Sequence, residues 1–243
     1  MVRSVFLKVN WIALVKLLSI IGAICLTSSF SFSSEPGTSL DAGYYLSDDF
    51  QGMLLQNEGS TDFESKLVDI ESLIPGVILE LRYSTEDNFT GQVVYDFNKC
   101  LMLQDAALRL REVQEELKAI GLGIKIWDGY RPMAAQWRFW ELIRDERYVS
   151  DPRMGGRHTR GTAVDLTLVT AEGRELRMPS EFDDFSEKAH RDYMEASLEE
   201  IENRDLLQNV MERHGFIGLP TEWWHFDLIG WEDYPPMDID PNL

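Results

Sequence analysis

The stretch GGRHTRGTAVDLTL, residues 155–168, places a histidine and an aspartate seven positions apart. His158 follows a pair of glycines, and Asp165 lies in a run that alternates polar and apolar residues. The chain has only two cysteines, Cys25 and Cys100, so a metal here must be held by histidine and carboxylate rather than by a cysteine cluster. A histidine and an aspartate need a third ligand to form such a site.

The segment EWWHFDL, residues 222–228, supplies a candidate for that ligand. If the strand that carries His225 pairs with the strand that carries Asp165, a polar position on each can face the same cleft. Two imidazoles and one carboxylate form a three-ligand zinc site with an open position for water. We therefore expect one zinc ion per chain, bound by His158, Asp165 and His225.

Two further residues fit the chemistry of such a site. Glu222 lies three residues before His225, where a carboxylate can take the proton of an attacking water. Arg131 ends the segment WDGYR and can stabilise an oxyanion on the attacked carbonyl. Each residue also has an ordinary alternative: either histidine can be structural, Arg131 can pair with a surface carboxylate, and Glu222 can be a solvated turn residue.

Alternating patterns predict the strands that carry the ligands. TAVDLTLV predicts a strand with Val164 and Leu166 on one face and Asp165 and Thr167 on the other. WWHFDLI predicts a second strand with His225 on its polar face. LVDIESLIPGVILELRYST and GIKIWDGYR predict further strands, and EDNFTG predicts a loop.

Apolar residues at helical spacing predict the helices. LMLQDAALRLREVQEELKAIG predicts a helix that ends before Gly121. Pro132 is expected to open a second helix, with an apolar stripe that includes Trp137 and Trp140. Residues 186–215 form a third, helix-rich stretch. Together these elements predict a single small α+β domain over residues 67–243, with a central antiparallel sheet, flanking helices and the zinc site on the sheet.

The first 34 residues have the layout of a secretory signal peptide. Three basic residues precede a long apolar stretch, small residues follow it, and no acidic residue occurs before Glu35. We expect this segment to be removed and the protein to be exported to the periplasm or cell envelope. A lipoprotein would need a small residue before Cys25, where Ile24 stands, and an uncleaved anchor is the other alternative. Residues 35–66 are polar and predict an irregular N-terminal arm.

The chain is strongly acidic, with a formal net charge of −19. Removal of residues 1–34, which hold three basic and no acidic residues, makes the charge about −22. Such a charge repels nucleic acid and anionic membrane surfaces. We therefore expect no nucleic-acid partner and no stable membrane association after signal cleavage.

Five segments in order resemble the zinc D,D-peptidases related to D-alanyl-D-alanine dipeptidase. HTRGTAVDLTL fits the signature H-x-x-G-x-A-x-D, and EWWHFDL fits E-x-W-H. DNFTG (87–91), DGYRP (128–132) and EFDDFSEKAH (181–190) resemble three further segments of the dipeptidase branch. The resemblance spans residues 68–229 and implies a small α+β fold around an antiparallel sheet.

The resemblance also implies roles for individual residues. His158, Asp165 and His225 correspond to the zinc ligands, Glu222 to the general base and Arg131 to the transition-state stabiliser.

Further implications concern the substrate, which in this family is the dipeptide D-Ala-D-Ala, cut to two D-alanines. Asp183 falls at the position that meets the substrate ammonium, and Arg157 is a candidate partner for the substrate carboxylate. Two positions depart from the family pattern: Gly156 stands where serine is usual, and Pro179 where glycine is common.

The expected function is zinc-dependent hydrolysis of D-Ala-D-Ala in cell-wall peptide turnover. One alternative is a D,D-carboxypeptidase or endopeptidase acting on peptidoglycan stem peptides, which shares the chemistry but needs a more open cleft. A second alternative is a zinc-binding module without catalysis. The presence of Glu222 argues against the second, because such a module has no need of a base.

Overall fold

A computed structural model describes residues 66–146 and 149–242. The predicted signal peptide, and the predicted arm up to residue 65, lie outside this range. The described strands are β1 (Leu67–Asp69), β2 (Ile78–Leu79), β3 (Leu101–Leu103), β4 (Leu122–Asp128), β5 (Ala163–Thr170), β6 (Phe216–Gly218) and β7 (His225–Leu228). The described α-helices are α1 (Ile70–Leu73), α2 (Gln104–Ala119), α3 (Met133–Leu142) and α4 (Leu198–Arg213).

The central sheet has the strand order β2-β4-β5-β7-β6. The pairs β4–β5, β5–β7 and β7–β6 are antiparallel, and β1 and β3 form a separate antiparallel pair. The predicted α+β class is confirmed. One edge pair, β2–β4, is parallel, because the chain returns from β2 to β4 through α2 instead of a tight hairpin.

Strand β5 lies at the centre of this sheet and is buried on both faces from Ala163 to Val169. Its alternation is as predicted: Val164, Leu166 and Leu168 belong to the main hydrophobic core. The opposite face carries Asp165, which is also buried. The sheet therefore separates an apolar core from a polar layer.

Helices α2 and α4 cover the apolar face. Leu110 and Leu117 of α2 and Leu207 and Met211 of α4 are completely buried in the same core cluster as β5. Helix α2 ends where it was predicted to end, because Gly121 adopts the left-handed conformation with φ of 80°. With both helices on the apolar face, the polar face of the sheet is left free to carry a site.

Helix α1 occupies a segment for which only strands were predicted. Asp69 accepts a hydrogen bond from the backbone N–H of Glu71 at 3.0 Å and so caps this single turn. The turn places Ile70 in the core with no exposed surface. The hydrogen bond at Asp69 and the burial of Ile70 stabilise a helical turn in a segment whose β-branched residues favour a strand.

Of the apolar stripe predicted for α3, Trp140 packs against the cluster that contains Tyr83 and Phe139, and Trp137 does not. The helix begins at Met133, with Pro132 as its N-cap, and it buries Ala135, Gln136 and Phe139. Trp137, assigned to the apolar stripe, is 43% exposed. The packing of Phe139 against the ring of Tyr83, 4.7 Å between centroids, sets this orientation.

Among residues 66–146 and 149–242, no helix is long and apolar enough to cross a membrane.

Candidate active site

The pairing of β5 with β7 brings the first two candidate ligands together. Asp165 and His225 are direct partners in the antiparallel register. Directly opposite residues project from the same face of a sheet, so their side chains meet. The sequence-based prediction that these two strands pair is confirmed.

The third candidate ligand comes from a turn that precedes β5. His158 begins a short 3₁₀ turn that ends at Gly161, where φ is 70° and a Cβ atom would lie 2.9 Å from Leu67. The glycine lets the chain reverse against β1 and enter β5. His158 Nδ1 lies 2.8 Å from the carbonyl oxygen of Gly129, which orients the imidazole toward the sheet.

The three side chains converge on one point. His158 Nε2 lies 3.2 Å from His225 Nδ1 and 3.4 Å from Asp165 Oδ2. Asp165 Oδ1 lies 2.9 Å from His225 Nδ1. All three residues are buried, and one ligand atom from each lies within 4.8 Å of the others.

The hydrogen-bond partners show that this cluster fits a cation. The Gly129 carbonyl only accepts, so His158 Nδ1 carries the proton and Nε2 presents a lone pair. His225 lies between two carboxylates, with Nδ1 2.9 Å from Asp165 Oδ1 and Nε2 3.1 Å from Asp227 Oδ1. A positive charge at this point, either a proton on His225 or a metal ion in its place, therefore stabilises the cluster.

The shifted pKa values of His225 and Asp165 also show that the cluster favours a positive charge. Burial alone would lower the pKa of His225, but the Asp227 and Asp165 carboxylates raise it to about 10. Burial alone would raise the pKa of Asp165, but His158 and His225 hold that pKa well below its usual range. Two imidazoles and one carboxylate are a ligand set typical of zinc centres that keep a position open for water.

Arg131 is held rigidly at the end of β4. Its Nη2 donates to Asp128 Oδ2 at 2.8 Å and its Nη1 to Gln136 Oε1 at 3.1 Å. Its guanidinium carbon lies 4.7 Å from the centroid of the Phe139 ring. One N–H on each of Nη1 and Nη2 is left over by these bonds, so the guanidinium can still donate to a ligand.

Asp128, which the sequence reasoning did not single out, anchors Arg131 beside the cluster. It has no exposed surface, and besides Arg131 it accepts from the hydroxyl of Tyr95 at 2.8 Å. The sequence feature that could have identified Asp128 is its position in DGYRP, three residues before Arg131. With 42 acidic residues in the chain, spacing alone did not single it out.

Glu222 lies beside the cluster, on the turn that leads into β7. Its Oε2 is 3.9 Å from His225 Nδ1, and the residue is only 8% exposed. Burial raises the pKa of Glu222 to about 7. A cation held by the neighbouring ligands would lower this pKa, because positive charge favours the carboxylate.

Asp183 occupies the far side of the same space in an unusual backbone conformation. Its φ is 59°, which is uncommon for a residue other than glycine. The hydroxyl of Tyr83, a second residue that the sequence reasoning missed, donates to the Asp183 carboxylate at 3.0 Å. Burial and the Asp165 carboxylate raise the pKa of Asp183 well above its ordinary value. A cationic group bound here would restore the ionised form.

Arg157 reaches the site from the loop before His158. Its Nε lies 3.4 Å from Asp227 Oδ2, and its guanidinium carbon lies 5.1 Å from the centroid of the Trp231 ring. The side chain is 31% exposed. Part of Arg157 is therefore committed to Asp227, and the rest borders the open space.

A cavity of about 330 Å³ joins all these groups. Every predicted site residue lines it: Arg131, Arg157, His158, Asp165, Asp183, Glu222 and His225. Aromatic residues form much of the remaining wall: Tyr83, Phe89, Phe139, Phe185, Trp224 and Trp231. The cavity thus combines the His158–Asp165–His225 cluster with the carboxylates of Glu222 and Asp183 and the guanidinium of Arg131.

We predict that alanine at His158, Asp165 or His225 abolishes stoichiometric zinc binding, because three protein ligands are the minimum for such a site. Metal analysis of the purified variants measures this. His190→Ala is the matched control and should keep the metal. Full zinc occupancy in any of the three variants would remove that residue from the site.

Comparisons with known proteins show the family of this chain. The family model described as D-ala-D-ala dipeptidase, Peptidase_M15, matches residues 63–237. The D-alanyl-D-alanine dipeptidase of Escherichia coli (strain K12) is 37% identical over 171 residues, covering 70% of this chain and 89% of that protein. The D-alanyl-D-alanine dipeptidase of Enterococcus faecalis is 34% identical over 193 residues, covering 71% and 95%.

The solved structure of the vancomycin resistance D,D-dipeptidase VanXYg, in complex with a D-Ala-D-Ala phosphinate analogue, aligns with 68% of this chain and 66% of that chain. Its sequence identity is 18% and its TM-score 0.36, values too low to support an inference about the site. The family match and the sequence relatives decide the assignment. The chain belongs to the D-ala-D-ala dipeptidase family Peptidase_M15, a family of zinc metallopeptidases.

Proposed function

We propose that this protein hydrolyses the dipeptide D-Ala-D-Ala to two D-alanines, in the turnover of cell-wall peptides. The observation that carries the proposal is the half-buried Asp183 carboxylate, which shares a cavity with the His158–Asp165–His225 cluster. A cavity of about 330 Å³ is at the small end of the range for ligand sites, which suits a dipeptide better than a long chain.

The free dipeptide is a zwitterion, and the charges of the cavity suit both of its ends. Asp183 would accept a charge-assisted hydrogen bond from the ammonium group. Arg157 would face the carboxylate with the part of its guanidinium that Asp227 does not engage. The peptide carbonyl would then lie between the ligand cluster and Arg131.

His158, Asp165 and His225 would hold a single zinc ion, which supplies Lewis acidity for the attacked carbonyl and for the attacking water. Glu222 would accept a proton as the water oxygen bonds to the carbonyl carbon. Arg131 would donate to the oxygen on which negative charge develops. Glu222 would then pass its proton to the leaving nitrogen as the carbon–nitrogen bond breaks, which yields two D-alanines.

A D,D-carboxypeptidase or endopeptidase acting on stem peptides is the second candidate. It would use the same ligands and the same base. Asp183 disfavours it, since a longer substrate places a neutral amide where the dipeptide has an ammonium. The half-buried carboxylate would then lack a counter-charge, which costs up to about 3 kcal/mol.

We further propose that the protein acts outside the cytoplasm, in the periplasm or cell envelope. The basic start, the apolar stretch and the small residues within 1–34 support export.

Glu222→Gln should keep zinc and lose at least ~10²-fold in kcat, because the amide preserves the shape but cannot accept a proton. Steady-state kinetics and metal analysis of the same sample measure both. Glu199→Gln, at an exposed position in α4, is the matched control. A Glu222→Gln enzyme with near-normal turnover would assign the base to another residue.

N-acetyl-D-Ala-D-Ala should be cut roughly 10²-fold more slowly than the free dipeptide, if about 3 kcal/mol of binding is lost at Asp183. In Asp183→Asn the difference in kcat/KM between the two substrates should be smaller, mainly because the free dipeptide is cut more slowly. Comparing kcat/KM for both substrates in both enzymes measures the effect, and Asp184→Asn is the control. Equal rates for the two substrates in the unaltered enzyme would favour the carboxypeptidase.

Protein recovered from the envelope fraction of the producing cell should lack residues 1 to about 34. Mass spectrometry of the intact chain and of its N-terminal peptide measures this, with a cytoplasmic marker as the fractionation control. An intact segment 1–34 in that fraction would favour a membrane anchor.

A further inference from the structure

We propose that Asp227 is a positioning residue that holds the imidazole of His225 with Nδ1 turned toward the metal site. The inference rests on the proposed metal role of His225. It adds to the three ligands a fourth side chain that binds no metal itself.

The strand geometry places the two residues in contact. His225 and Asp227 are two positions apart in β7, so both project from the same face. His225 Nε2 lies 3.1 Å from Asp227 Oδ1, and Asp227 is 3% exposed. Because a carboxylate oxygen accepts hydrogen bonds, Asp227 holds an N–H at Nε2, and a metal that takes the place of a ring proton does so at Nδ1.

This protonation leaves Nδ1 as the nitrogen that can bind a metal. Nδ1 is also the ring nitrogen nearest to the other candidate ligands, 2.9 Å from Asp165 Oδ1 and 3.2 Å from His158 Nε2. A ring turned over would present a protonated nitrogen to the cluster. The bond to Asp227 therefore selects both the orientation and the tautomer that the site needs.

Arg157 fixes the Asp227 carboxylate from the other side. Its Nε lies 3.4 Å from Asp227 Oδ2, while Oδ1 accepts from His225. Each oxygen of Asp227 thus has its own partner, which holds the carboxylate in one orientation. His158 has a different arrangement, in which the Gly129 carbonyl accepts from its distal nitrogen.

The test is zinc affinity, measured by competition with a chromophoric chelator on folded, metal-free protein. Asp227→Ala should weaken zinc binding about 10- to 100-fold, the range for loss of such a partner. Asp227→Asn should lose less zinc affinity than Asp227→Ala, because the amide oxygen of asparagine still accepts a hydrogen bond from Nε2. Asp96→Asn removes an exposed carboxylate and should leave the affinity unchanged. Circular dichroism of each metal-free variant confirms that it is folded.

Nitrogen-15 NMR of the zinc-loaded protein supplies a readout that a purely structural aspartate would not move. In the unaltered protein His225 should show a protonated Nε2 and a metal-bound Nδ1, and in Asp227→Ala this state should be mixed or lost. A zinc affinity of Asp227→Ala within twofold of that of the unaltered protein would overturn the role of Asp227 and leave the metal centre in place. Zinc bound to Nε2 of His225 would do the same. An unaltered protein that binds no zinc would overturn the metal centre itself.

Discussion

The register between β5 and β7 is the constraint on which the site depends. It places Asp165 directly opposite His225 at the centre of a sheet whose other face is filled by α2 and α4. A slip of one residue would turn Asp165 toward the apolar core and Val164 toward the cavity. The hydrophobic burial of Val164, Leu166 and Leu168 therefore also positions the polar residues, since both faces belong to one strand.

The end of β4 forms the second support of the site. The carbonyl of Gly129 accepts from His158, and the backbone N–H of Arg131 donates to the carbonyl of His158 at 3.1 Å. The same short segment carries the guanidinium of Arg131, anchored on Asp128. One stretch of chain thus orients a candidate metal ligand and the candidate oxyanion donor together, which ties their relative positions to backbone geometry.

Carboxylates dominate the charge of the cavity and of its surroundings. Asp128 and Asp227 each have an arginine partner, whereas Asp165, Asp183 and Glu222 face the cavity. The raised pKa values of Asp183 and Glu222 reflect desolvation of these carboxyl groups and the negative charge of neighbouring carboxylates. A metal ion held by His158, Asp165 and His225 would supply positive charge to this cavity.

The sequence by itself determined the elements whose signal is local. Alternation in 163–168 specified β5 and its two faces, and Gly121 marked the end of α2. The two signatures identified the three candidate ligands and Glu222, which the structure places together. Such signals can be read because strand and helix periodicity repeat within a few residues.

The tertiary structure decided the contacts between distant segments. Tyr83 reaches Asp183 across 100 positions, and Tyr95 reaches Asp128 across 33. In α3 likewise, Phe139 is buried against Tyr83 whereas Trp137 is 43% exposed, a difference between two aromatic residues that the sequence of the helix does not show. Local pattern states that a side chain is polar or apolar. Which partner it meets depends on how strands and loops from elsewhere in the chain pack around it.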